Sequence, residues 1–316
     1  MITKNEAHLI ISNELATRRQ NAEFIKNENL DNAFKKSEHF KKLYNLVRSL
    51  QFEYAKQTNP AKAQEILTQF NTARENLRAE LKKLNLTKED MEPKFVCNIC
   101  KDTGFVNNTE CACYKKLKNE VYLKASGTNQ NKLPSFNNVD FSIFDADKQN
   151  EVKNIYKISK DFILKFKETD KQNLVILGNT GVGKTYLTDC ILNEAIHNNI
   201  FSLWTTAFAL NNEFYNMKFA SIKEREEILE PYLTCELLII DDLGSEPKYD
   251  NTTIEGLYNI LNERLRSGLK TIITSNYTPE QLQELYLDRV FSRIFNKQVG
   301  IILNMPTCYL RLKSKK

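Results

Sequence analysis

Glycine is scarce in this chain: 9 residues in 316, about 3% against roughly 7% in an average protein. None occurs before Gly104, and only Pro60 interrupts the first 92 residues. Collagen-like, low-complexity and Gly/Ser-linker architectures are therefore excluded. Long apolar runs are also missing. No stretch approaches the roughly 18 residues of a membrane span, so no membrane partner is expected. The N-terminal sequence MITKNEAHLIISNE carries charges where a signal peptide would be apolar, which predicts a cytoplasmic chain. Charge is nearly balanced, Lys and Arg 45 against Asp and Glu 40, net +5. That excess permits nucleic-acid binding without demanding it. Histidine is limited to three residues, all in helical stretches, and suggests no site.

What is present divides along the chain. Residues 1–92 are rich in Ala, Leu, Glu, Lys, Gln and Asn and read as long helices. Phe40, Leu43, Val47, Leu50 and Tyr54 form one apolar stripe. Ile66, Phe70, Ala73, Leu77 and Leu84 form another, with Glu80 the lapse. Pro60 after Asn59 marks the turn between them. A helical hairpin burying its own stripe and a partner-binding arm are both compatible with this spacing. Residues 93–125 contain four of the seven cysteines, Cys97-x-x-Cys100 and Cys111-x-Cys113, followed by a helix expected from Lys115. Four thiolates at this spacing suit tetrahedral Zn²⁺. Disulfides are disfavoured by the expected compartment, and an iron–sulfur site has no other support. Zinc is preferred because so small a unit needs a staple to fold. Cys190, Cys235 and Cys308 read as small buried apolar residues. Residues 126–138 are polar and expected to be a linker. Residues 139–316 alternate short β-rich runs (174–177, 201–205, 237–240, 271–274 and 301–303) with helical segments. This predicts an α/β fold with a parallel sheet and helices on both faces.

The strongest motif is GNTGVGKT at 178–185, between an apolar run and a helix. Gly178, Asn179, Thr180, Gly181, Val182 and Gly183 would curl so that backbone N–H groups face phosphate oxygens. Lys184 would reach the β- and γ-phosphates of ATP, and Thr185 would ligate Mg²⁺. LLIIDD at 237–242 is an apolar strand ending in two carboxylates. Asp241 would hold Mg²⁺ and Asp242 would polarise the attacking water. TIITSN at 271–276 could bring Asn276 to the γ-phosphate, although Asn-Tyr-Thr-Pro also reads as a simple turn. In DRVFSR at 288–293, Arg289 and Arg293 share a helix face. A surface ion-pair stripe is the ordinary explanation; in an oligomeric ATPase one of them can act on a neighbour's nucleotide.

These four elements, in this order and with LPSFNNVDFSIF at 133–144 leading into them, resemble the AAA+ P-loop ATPases. Their wording is similar to the DnaC/DnaI-type replicative helicase loaders and their relative, the IstB transposition ATPase. The resemblance covers about residues 133–312. It implies an AAA+ domain without a full lid, preceded by a helicase-binding helical arm and a four-cysteine zinc-type unit; a sensor role for Arg311 is not expected. It implies Asn276 as sensor 1 and Arg293 as an arginine finger in trans, which requires self-association. It also implies that the segment 207–233 meets single-stranded DNA, with Phe214, Tyr215, Lys218 and Phe219 as stacking and cationic groups. A competing use of two or three of these aromatics is packing the insert onto the core. Many related ATPases carry Glu where this chain has Asp242. The expected function is ATP-dependent loading of the hexameric replicative DNA helicase. The rivals are an IstB-like transposition helper, a nucleotide-gated adaptor that hydrolyses little, and, more distantly, a small-molecule P-loop kinase.

Overall fold

The glycine-free N-terminal sequence folds into the long helices that its composition and apolar spacing predict. The computed structural model describes residues 2–128 and 132–308, so Arg311 lies outside the described residues. Two compact units are present, Ser12–Thr109 and Met1–Ile11 with Glu110–Lys316. The helices α1 (Lys4–Lys36), α2 (Glu38–Lys56) and α3 (Pro60–Lys83) come first. Ser37 stops α1 and caps α2, its hydroxyl accepting the Phe40 N–H at 3.0 Å. Asn59 caps α3 through the Ala61 and Lys62 N–H groups, and Pro60 takes the first helical position, where its missing donor costs nothing.

Helices α2 and α3 pack on each other, and Phe40 of one expected stripe meets Leu77 and Leu84 of the other in one cluster. Phe40 and Leu81 enter a small core with Leu30, Ala33 and Met91. Tyr54 points outward, so the stripe ends before the helix does. Glu80, the polar lapse, is buried. Its carboxylate accepts from the Lys83 ammonium at 3.1 Å and the Ser37 hydroxyl at 2.9 Å, and these bonds hold its pKa below the ordinary value. The lapse is thus a satisfied polar contact that ties the α1–α2 junction to α3.

After a two-stranded ribbon, β1 (Phe105–Val106) and β2 (Thr109–Glu110), comes α4 (Ala112–Ala125), which begins three residues before the expected Lys115. Fully buried Asn119 joins α4 to the edge of the main sheet, donating to the Ile200 carbonyl at 3.0 Å and accepting the Ser202 N–H at 2.8 Å. Within the segment expected to be a linker, Leu133 and Phe136 pack on the core, and Asn193 donates to the Pro134 carbonyl.

The main sheet has five strands, β3 (Asn173–Leu177), β4 (Ser202–Thr206), β5 (Leu237–Leu243), β6 (Lys270–Ser275) and β7 (Gly300–Asn304). All pair in parallel, in the order β4-β5-β6-β3-β7. Alternate side chains serve opposite faces. Val175, Leu238, Ile240 and Ile273 pack against α7 (Ala207–Asn216), α8 (Ile222–Thr234), α9 (Thr253–Arg266) and α10 (Pro279–Ile294). Leu174, Ile176, Ile239 and Ile272 pack against α5 (Gln149–Leu164) and α6 (Lys184–His197). The α/β fold expected from the alternating pattern, a parallel sheet with helices on both faces, is the one observed.

At the N-terminal end of the strands, Arg264 is fully buried. Its guanidinium donates to the carbonyls of Tyr232, Cys235 and Lys270 at 2.6, 2.9 and 2.6 Å and to the Thr271 hydroxyl at 3.0 Å. These bonds pin the starts of β5 and β6 and offset the cost of burying a charge.

Gly256 on α9 packs against the Phe214 ring, which a Cβ would meet at 2.5 Å. In an open helix Gly→Ala stabilises by about 1 kcal/mol. Here Gly256→Ala should instead destabilise by about 1–3 kcal/mol through overpacking, read as a lower denaturant midpoint. A raised midpoint would show that the Phe214 contact does not constrain this helix.

Candidate active site

The phosphate-binding motif lies at the C-terminal end of β3. Gly178 has φ +152°, and a Cβ there would meet Met305 Cβ at 2.9 Å and its carbonyl at 3.0 Å. Gly183 (φ +97°) lies at the N-cap of α6, where a left-handed residue turns the loop into the helix. Lys184 is buried, and its ammonium donates to the carbonyls of Gly178 at 2.7 Å and Asn179 at 3.0 Å and to Asn276 Oδ1 at 2.6 Å. A cleft of about 920 Å³ opens here. Its lining includes Thr180, Gly181, Lys184, Thr185, Asp241, Asp242 and Asn276, and on another side Asn138, Phe144, Tyr156 and Tyr186.

The two carboxylates owe their placement to a bulge. Ile240 pairs with Ile273 but Leu243 pairs with Ser275, so β5 holds one residue more than β6 across this step. Strict alternation would send Asp241 and Asp242 to opposite faces of the sheet. With Asp242 at φ +60°, both instead engage the same end of β6. Asp241 accepts from the Thr274 hydroxyl at 2.6 Å and the Thr185 hydroxyl at 3.0 Å. The Asp242 N–H donates to Thr274 Oγ1 at 2.8 Å, and its carboxylate accepts from the Asn276 amide. Lys184, Thr185, Asp241, Asp242 and Asn276 therefore form one hydrogen-bonded set. Thr274 completes it and was not singled out in the sequence, where a threonine in an apolar strand gives no signal. One turn beyond Thr185, the Asp189 carboxyl is pushed up to about 6, first by burial and second by the charge of Asp241.

Arg293 does not line this cleft; it lies on α10 against α9. Arg289 pairs with Glu255. In the insert, the expectation for Phe214 needs correcting. The residue is buried in the core beneath α9, so its ring is not available to stack on a base. Tyr215 and Phe219 are exposed, their ring centroids 5.6 Å apart, and the Lys218 ammonium is 5.8 Å from the Tyr215 ring. Tyr249, from the loop after β5, adds a third ring 4.8 Å from Tyr215. No periodicity in its polar surroundings marked it.

The sulfurs of Cys97, Cys100, Cys111 and Cys113 lie within 4.8 Å of one another. Buried Asp102 shapes the first turn by accepting the Val96 and Cys97 N–H groups at 2.8 and 2.9 Å. The Gly104 N–H, at a residue with φ +85°, points to Cys100 Sγ at 3.3 Å.

A family model described as IstB-like ATP binding protein matches residues 102–297. The replicative helicase loader DnaI of Bacillus subtilis is 29% identical over 126 residues, 39% of this chain and 39% of that protein. The chromosomal replication initiator protein DnaA of Mesoplasma florum is 30% identical over 146 residues, 45% of this chain and 32% of that protein. The chain thus spans well under half the length of these curated relatives. Among solved structures, the DnaC helicase loader is 21% identical with a TM-score of 0.46, covering 54% of this chain and 96% of that one.

The raised pKa of Asp189 gives a signed expectation. A carboxyl whose pKa rises on folding, from about 3.9, makes the folded state bind the extra proton between the two values. Stability therefore falls as pH rises through that window, and the penalty is complete above about pH 6. Asp189→Asn should raise Tm at about pH 7.5 and lose that advantage by about pH 4. An equal gain at both pH values would refute the electrostatic origin.

Proposed function

The chain belongs to the IstB-like ATP-binding protein family, and we propose that it binds and hydrolyses ATP to load the replicative DNA helicase onto single-stranded DNA. The observation that carries the ATPase reading is the shared hydrogen-bond set of Lys184, Asn276, Asp242, Asp241 and Thr185 at the mouth of one cleft. Lys184 donates to two loop carbonyls and to Asn276, so its ammonium is aimed at the space the loop encloses. The backbone N–H groups of residues 179–185 and the N-terminus of α6 supply a further anion-binding field. The donor set fits ATP with Mg²⁺: Thr185 Oγ1 and Asp241 Oδ2, 3.0 Å apart, are hard oxygen donors that would hold the ion. When bound, Mg²⁺ supplies charge neutralisation of the β- and γ-phosphate oxygens. Asp242 accepts the proton of the attacking water once Asn276 yields its carboxylate, and Asn276 then turns to the γ-phosphate. Among the described residues, Lys184 is the one lysine or arginine lining the cleft. Arg293 of a neighbouring copy supplies the second cation.

The helicase-loading reading is supported by similarity to the DnaI loader together with the helical arm and cysteine cluster, which serve as the helicase-gripping part. Tyr215, Lys218 and Phe219, with Tyr249, form the surface offered to single-stranded DNA. The IstB-like family description favours a second reading, a transposition helper. A pull-down from host lysate with ATP present separates them. Recovery of a hexameric helicase supports loading, and recovery of a transposase supports the helper.

The cysteine cluster fits structural Zn²⁺, since four thiol donors converge and Asp102 already fixes the turn. Metal analysis of the purified chain should find about one zinc per chain. Intact free thiols with no metal would refute this site.

A further inference from the structure

α10 is not continuous. Leu287 has φ 63° and ψ 165°, a conformation that residues with side chains rarely hold, so residues 288–294 form a separate helical piece. Val290 and Ile294 anchor it in the core with Leu257, Ile260 and Leu261 of α9, leaving Arg289 and Arg293 along the rim. There they meet Glu255, Tyr258 and Asn262, which share one face of α9 by their spacing. The Tyr258 ring receives both guanidiniums, at 5.4 Å for Arg289 and 4.7 Å for Arg293. The further partners of the two arginines differ in kind. Arg289 pairs with the Glu255 carboxylate. Arg293 donates to neutral oxygens: Tyr258 Oη at 3.2 Å, Asn262 Oδ1 at 3.3 and 3.4 Å, and the Arg289 carbonyl and Ser292 hydroxyl, both at 3.1 Å.

A catalytic arginine must be oriented without having its charge cancelled. A carboxylate partner orients and cancels; a ring face, a phenol oxygen and a carboxamide orient and leave the charge whole. We propose that Tyr258, with Asn262, is the positioning platform that presents Arg293 to the nucleotide of a neighbouring copy, and that Glu255 keeps Arg289 out of that role. The inference rests on the reading of Arg293 as a finger in trans. Tyr258 and Asn262 are positioning residues, acting through Arg293.

Mixed oligomers test both layers separately. A Lys184→Ala chain has a disabled loop but an intact Arg293 rim, and an Arg293→Ala chain has the reverse. Each alone should be inactive, and their equimolar mixture should regain hydrolysis. Adding Tyr258→Ala to the Lys184→Ala chain should lower the regained kcat about tenfold, for loss of one ring contact and one hydrogen bond, with the KM for ATP unchanged. Tyr258→Phe in the same chain keeps the ring and should retain most of the rate. Rates are compared at chain concentrations where they no longer rise, so that assembly is not limiting. If Tyr258→Ala fails to fold, the double variant Tyr258→Phe, Asn262→Ala preserves the packing and removes both hydrogen-bonding groups; it should lower kcat about fivefold at unchanged KM. Regained activity indifferent to these changes would overturn the platform and leave the trans arginine standing. A parent mixture that regains nothing would overturn both.

Discussion

The extra residue in β5 is the constraint on which the candidate site depends. A regular strand would face Asp241 and Asp242 in opposite directions, one into each layer of helices. The bulge brings both to the end of β6, where Thr274 bridges them, accepting from the Asp242 backbone and donating to the Asp241 carboxylate. Two carboxylates so close in a partly buried setting need partners. Thr185 and Thr274 serve Asp241, and Asn276 serves Asp242. Asn276 also accepts from Lys184, so the phosphate loop and both carboxylates are locked in one polar network. Ligand phosphates would compete for the same Lys184 and Asn276 groups, which lets nucleotide binding exchange one satisfied arrangement for another.

The rest of the α/β unit keeps that network in register. Alternating apolar side chains bury both faces of the sheet. At the opposite ends of the strands, Arg264 ties the starts of β5 and β6 together through carbonyls. The same arrangement of neutral acceptors around a guanidinium recurs at Arg293 with a different result. Arg264 is sealed in the core, whereas Arg293 is held at a rim. Burial separates the two: the first is a structural pin, and the second, under the proposed function, would serve another chain.

Between these ends runs a connection from β5 toward the arginine-bearing helix. After Asp242, the Gly244 N–H donates to Glu246, whose carboxylate also accepts from the buried Tyr286 hydroxyl. Tyr286 is the residue before the Leu287 break in α10. The loop that follows the two carboxylates thus contacts the helix whose second half carries Arg289 and Arg293. The same loop supplies Tyr249 to the exposed ring cluster of the insert. The carboxylate pair, the arginine rim and the aromatic surface share one short loop.

Much of this was legible in the amino-acid order. Short β-rich runs alternating with helical segments and the Gly-rich motif specified the parallel strands and the phosphate loop, because these signals depend on neighbours in sequence. The Asn59–Pro60 turn and the convergence of the four cysteines were readable for the same reason. Glu80, Thr274, Arg264 and Tyr258 were not, since each takes its meaning from a partner brought by the fold: Ser37, Asp241, a ring of carbonyls, and Arg293. Phe214 shows the limit from the other side, because only packing beneath Gly256 decides that its ring faces the core while Tyr215 next to it faces solvent. Local spacing determined which elements form and which chemistry they carry. The β5 bulge, the break at Leu287 and the burial of single side chains decided where those groups point, because they depend on contacts between distant segments.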